Sequence, residues 1–192
     1  PFNDERVREA LCYALDRQEI FDMAFDGKGA ALGSAMYPSF GKYFMEELND
    51  AYPTNVEKAK ELLTEAGYPD GFSFTIKVPS NYGPHIDTAQ VLLEQLKRIG
   101  VDASIELIEW DTWLSDVYAD RDYEATVIGV DASTLTAPAL LGRYVSTASN
   151  NFVNFSSEAY DQAYAQAQAS VDDTEKTKYY KQCEQILSDE CA

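Results

Sequence analysis

The chain has 192 residues, of which 45% are hydrophobic and 33 are acidic against 15 basic, for a formal charge of −18. That supplies enough apolar material to bury a core in one domain, or in one lobe of something larger. The charge excludes a nucleic-acid binder, which needs a basic patch to displace counterions, and disfavours an anionic membrane surface; its simplest meaning is solubility.

Residues 4 to 25 predict one long helix, because Val7, Leu11, Ala14, Leu15, Phe21 and Phe25 recur at helical spacing. Asn3 or Asp4 can cap it, Gly27 and Gly29 stop it, and Cys12 falls inside the pattern as a small core residue. Residues 28 to 53 are irregular and rich in Gly, Ser, Pro and aromatics, as in a loop laid over a surface. In TNVEKAKELLTEAG, residues 54 to 67, Thr54 and Glu57 predict a capping box and Gly67 a left-handed stop. GFSFTIKV, residues 71 to 78, alternates Phe72, Phe74, Ile76 and Val78 onto one face of a strand. A helix follows over 83 to 100, with Pro84 in its first turn and Gly100 as its stop. VDASIELI (101 to 108) is a second strand, 110 to 120 a short helix, and YEATVIG (123 to 129) a third strand. Asp120, Asp122 and Glu124 read as a solvated charge run. Further helices are expected at about 137 to 145, 157 to 170 and 173 to 189.

Strand, helix, strand, helix, strand predicts an α/β fold, with a largely parallel sheet flanked by helices and right-handed crossovers. Ligands of such sheets sit beyond the carboxyl ends of the strands. Three loops leave those ends: PSNYGPH at 79 to 85, EWDTW at 109 to 113 and GVDASTLTAP at 129 to 138. The third is expected to bring Asp131 and Ser133 to one wall of a polar cleft. Ser80, Asn81 and Tyr82 suit either a turn or a ligand contact. The Trp110 indole offers stacking surface and one N–H donor, whereas Trp113 is expected in the core. Arg143, a lone cation in a neutral stretch, suits either the surface or a ligand carboxylate.

His85 is the sole histidine and no cysteine pair has metal-ligand spacing, so neither a metal nor another cofactor is expected. Cys183 and Cys191 could bridge, but one helix over both argues against it. No nucleophile elbow, phosphate-cradling glycine loop or zinc signature points to an enzyme. No apolar run has transmembrane length. Starting at PFNDERV and ending at LSDECA, the chain reads as an excised segment, so the lack of a signal peptide says nothing of location.

Four stretches, in this order and spacing, carry a resemblance: PFNDERVREALCYALDRQEI, NVEKAKELLTEAGYPDGFSFTI, QVLLEQLKRIGVDASIELIEWDTWL and YEATVIG. They resemble the extracytoplasmic solute-binding proteins, family 5, of oligopeptide, dipeptide and nickel ABC transporters. The resemblance implies a periplasmic-binding-protein-like (type II) fold. Residues 1 to 192 would be a single lobe, most of the carboxyl-terminal one, with the other lobe and the lipoprotein signal outside it. It implies a monomer in the periplasm, or lipid-anchored at the cell surface, that binds peptides between lobes and delivers them to a membrane permease. Some branches take oligosaccharides or nickel complexes, and a ligand sensor without transport is a further alternative. Trp110 matches a position where peptide binders place a tryptophan on the ligand. Ser80, Asn81 and Tyr82 match a pocket-lining loop, and His85 lies near a contacting histidine of some members. In peptide binders the third strand runs G-W-x-x-D, and the aspartate takes the peptide ammonium. Here Gly129 is kept, the tryptophan is Val130 and the aspartate position is Ser133. Asp131 lies two residues before it, on the same side of an extended chain and about 7 Å away, and could supply the missing carboxylate.

Overall fold

In the computed structural model, which describes residues 1–131 and 135–192, the first apolar-periodic stretch is two helices rather than one. α1 (Glu5–Ala14) is capped by Asp4, whose carboxylate accepts the Arg6 N–H. α2 (Arg17–Ala24) is capped by Asp16, whose carboxylate accepts the Glu19 N–H. Leu15 between them is extended. The break is held from a distance. The buried Gln95 amide accepts the Asp16 N–H at 3.0 Å and donates to the Asp16 carbonyl at 3.1 Å. The Thr54 hydroxyl donates to the Leu15 carbonyl at 2.9 Å. Thr54 is therefore spent on the end of α1, and the capping box expected at Thr54 and Glu57 does not form. Asn55 caps α3 (Val56–Glu65) instead, accepting the Lys58 N–H.

β1 (Ser73–Pro79), α4 (Gly83–Lys97) and β2 (Asp102–Ile108) follow as the sequence pattern predicts. The chain then makes one turn, α5 (Trp110–Thr112), and continues as a π-helical segment over Trp113–Ala119. β3 is only Ala125–Thr126. All pairings are parallel, in the order β2-β1-β3. β3 begins later than its sequence suggests, where Glu124 uses its side chain in place of backbone: the carboxylate accepts the Thr75 N–H at 2.9 Å. Asp122 contributes its carbonyl to Lys77 Nζ at 2.6 Å. Asp120, Asp122 and Glu124 are exposed, as the charge run predicts, and Glu124 in addition ties the sheet edge through its side chain.

The alternation in β1 sets the two faces of the sheet. Phe74, Ile76 and Val78 are buried against Ala10 of α1, Leu63 of α3 and Ala89 of α4. On the opposite face the buried Trp113 donates from its indole to Thr126, the register partner of Lys77. Helical segments thus cover both faces: the chain crosses from the central β1 to β2 at one edge, then back past β1 to β3 at the other. In an open sheet this puts the switch point, where ligands bind, at the β1/β3 boundary.

These elements belong to one of two units, formed by Pro1–Ala31 and Tyr52–Gly129; the other comprises Leu32–Ala51 and Val130–Ala192. Two 3-10 turns, Pro38–Tyr43 and Glu46–Asp50, organise what reads as loop in the sequence. α6 (Ala137–Leu141), α7 (Glu158–Ala169) and α8 (Asp173–Asp189) enclose a core that includes Met36, Leu140, Tyr160 and Tyr180. Tyrosine hydroxyls close the polar gaps: Tyr160 donates to the Leu141 carbonyl and Tyr164 to the Pro138 carbonyl, both at 2.8 Å. Cys183 is a buried free thiol, so it forms no bridge to Cys191, and Cys12 is only half-buried. Among the described residues no helix is long and apolar enough to cross a membrane.

Candidate ligand-binding site

The loops leaving β1 and β2 and the end of the segment after β3 meet within the first unit. The Ser80 N–H continues the sheet by donating to the Ile108 carbonyl at 2.8 Å. Its hydroxyl donates to Glu109 at 3.3 Å. These two bonds hold the first loop beside the second. A line of rings then runs across both. His85 lies 5.1 Å from Tyr82 between ring centroids, Tyr82 stands edge-on to Trp110 at 5.5 Å, and Trp110 stacks on Trp113 at 5.2 Å with ring planes 3° apart.

Trp113 is the fixed end of this wall. It is 3% exposed, its indole N–H donates to Thr126 Oγ1 at 3.0 Å, and Thr126 donates in turn to the Lys77 carbonyl at 2.7 Å. The core position expected for Trp113 is confirmed, with a relay into β3 and β1 that no local pattern announced. Trp110 is half-buried and Tyr82 is 40% exposed, so the wall presents aromatic surface outward on a rigid base. Stacked and edge-on ring pairs contribute about 0.5–1.5 kcal/mol each beyond the area they bury.

His85 sits on the first turn of α4 and closes the wall toward β3. Its Nε2 lies 3.1 Å from the point where a side chain on Gly129 would begin. Its Nδ1 is buried without a hydrogen-bond partner among the described residues, and burial holds its pKa below the ordinary histidine value. Gly129 thus earns its place through His85, a partner 44 positions away that spacing could not have revealed. Asn81 is exposed in the turn before α4.

Two other expected residues fall in the second unit: Asp131 is exposed, and Arg143 is half-buried on the turn Gly142–Tyr144. Ser133 lies outside the described residues. Among the described residues no cluster of His, Cys, Asp and Glu could hold a metal ion. Another groove, of about 400 Å³, lies between α2 and α4, where Glu19, Met23, Asp87, Val91, Glu94 and Arg98 line it.

The model of the family described as bacterial extracellular solute-binding proteins, family 5 Middle, matches residues 1–152. The glutathione-binding protein GsiB of Salmonella typhimurium is 32% identical over 97% of this chain, which spans 38% of that protein. The oligopeptide-binding protein AppA of Bacillus subtilis is 32% identical over 69% of the chain and 27% of its own length. The crystal structure of Haemophilus influenzae OppA, a complex with the peptide RPPGFSPFR, superposes on the whole chain with a TM-score of 0.88 at 27% identity, over 39% of that protein. AgaA from A. tumefaciens R10, in complex with agropinic acid, gives a TM-score of 0.88 at 28% identity, over 98% of this chain and 39% of AgaA. The chain therefore spans under two-fifths of the length of these relatives.

Proposed function

This chain belongs to the bacterial extracellular solute-binding proteins of family 5, and from that premise we propose that it forms most of the carboxyl-terminal lobe of a peptide-binding component of an ABC importer. The observation that supports this best is the aromatic wall of Tyr82, Trp110 and Trp113 at the carboxyl ends of parallel strands. Such a surface offers van der Waals area and little net charge, which suits peptides of varied side chain. The proposed mechanism is binding by closure: ligand contacts to this lobe and to a second lobe favour the closed state, which a membrane permease then receives. The protein acts as a monomer, in the periplasm or lipid-anchored at the cell surface. It binds and releases without chemical change; the relatives compared with it bear the names of binding proteins.

In the second unit Asp131 is the proposed anchor for the peptide ammonium and Arg143 a candidate polar contact; in the first unit the candidate polar contacts are Ser80 and Asn81. A carboxylate meeting an ammonium forms a charge-assisted hydrogen bond of about 1.5–3 kcal/mol. In the intact protein, Asp131→Ala is expected to weaken binding of free-amine peptides by roughly 10- to 100-fold, measured by calorimetry, and to leave N-acetylated peptides unchanged. Equal losses for both would remove the anchor. Absence of peptide binding by the unsubstituted protein would remove the peptide reading itself. A second reading, a neutral solute, is favoured by Ser133 at the position where peptide binders carry aspartate. Binding of an oligosaccharide but of no peptide would select it.

A further inference from the structure

We propose that His85 is a positioning residue that braces the aromatic wall only while its ring is neutral, and that taking up a proton unseats it and slackens the wall. The consequence for ligand rests on the reading of that wall given above; the seat itself does not.

A neutral imidazole carries one N–H and one bare nitrogen, whereas an imidazolium carries N–H groups on both. Nδ1 is the nitrogen buried without a partner among the described residues, so a neutral ring protonated at Nε2 leaves only a bare acceptor inside. Adding a proton puts a charged donor where no described acceptor lies. The remedy is movement outward; beside Nε2 only the absent side chain of Gly129 leaves room, since a Cβ there would lie 3.1 Å from that nitrogen. Tyr82 then loses the ring that it packs on and its edge contact with Trp110 loosens.

Charged neighbours do not offset this. The titratable groups near His85 along the elements around it include Tyr82 and Asp87 at the start of α4, Lys77 on β1, Glu109 and Asp111 after β2, Tyr123 and Glu124 beside β3, and Asp131 two residues after Gly129. Glu109 accepts the Ser80 hydroxyl and Glu124 the Thr75 amide. None of these groups shifts the His85 ring, whose pKa is lowered by burial.

The test is unusually clean because the chain has one histidine and two tryptophans, and both tryptophans stand in the wall. The histidine ring is titrated by NMR in the 192-residue chain, and tryptophan fluorescence is followed over the same pH range. Both are expected to show one step with a common midpoint below about 6.5, the ordinary histidine value. His85→Phe keeps a ring but no titration, and the fluorescence step should vanish. Gly129→Ala crowds Nε2, and the midpoint should rise toward the ordinary value. A histidine that titrates at or above the ordinary value, fluorescence that stays flat across its step, or a step that survives in His85→Phe would each overturn the proposal. With trialanine as probe, the intact protein should bind roughly tenfold more weakly at pH 5 than at pH 7.5. Constant affinity beside an intact spectroscopic step would overturn the ligand reading of the wall and leave the seat standing.

Discussion

Gly71→Ala is expected to destabilise the first unit by about 4 kcal/mol, the sum of a left-handed backbone penalty and severe overpacking. Gly71 has φ +76°, and a Cβ there would lie 1.8 Å from the carbonyl oxygen of Gly100. The two glycines are where the chain entering β1 passes the turn before β2. Immediately beyond, the Asp102 N–H donates to the Phe72 carbonyl at 2.9 Å and begins the pairing of the two strands. A side chain must push these entries apart, and the register that carries Ser80 and Glu109 to the same rim goes with them. The melting temperature should fall by roughly 8–16 °C for a chain of this size. Gly67→Ala is the control: φ is also left-handed, at +91°, but nothing lies within 4 Å of the new Cβ. It should cost only about 1–2 kcal/mol. Equal losses in the two variants would mean that the close approach at Gly71 carries no weight.

Replacing Glu184 by methionine is expected to stabilise the second unit at pH 8, by up to about 3 kcal/mol. Glu184 is fully buried on α8, and burial pushes its pKa up to about 7 from an ordinary 4.5. The Ser34 hydroxyl and the Met36 amide lie near enough to oppose the rise in part. Neither makes a formed hydrogen bond to the carboxylate, because the Ser34 hydroxyl donates to the Met36 carbonyl and itself accepts the Met36 N–H. The sign follows from linkage. An acid whose folded-state pKa is raised holds its proton longer in the folded chain than in the unfolded one. The ionisation penalty is therefore absent below about pH 4.5, grows up to about pH 7, and is constant above that. The gap in stability between Glu184→Met and the unsubstituted chain, read by denaturant titration, should widen across that window and then level. A gap independent of pH would show that Glu184 does not titrate there.

Most of the sheet-forming half could be read from sequence, because its signals are local. Alternation marked β1, Pro84 and Gly100 bracketed α4, and the run of strand and helix fixed a parallel sheet. Where sequence reading failed, a distant partner decided. The apolar period ran unbroken through Leu15, although Asp16 and Glu19 already had the spacing of a cap; what settles the break is Gln95, 79 residues on. Thr54 looked like a cap for its own helix until Leu15 claimed its hydroxyl. β3 starts late where Glu124 satisfies Thr75 with a side chain. At the site, the loops, Tyr82 and Trp110 were visible as candidates from their place after strands. The contact between His85 and Gly129 and the relay from Trp113 through Thr126 were not, since each joins elements whose proximity exists only after folding.

The location of the bound ligand is tested most directly by following backbone amide resonances of the intact protein as trialanine is added to saturation. Within this chain the largest changes should fall at residues 79–85, 109–113 and 127–131, with the indole N–H of Trp110 among them. Changes centred instead on the groove between α2 and α4, with those loops and both indoles undisturbed, would contradict a ligand surface at the strand ends.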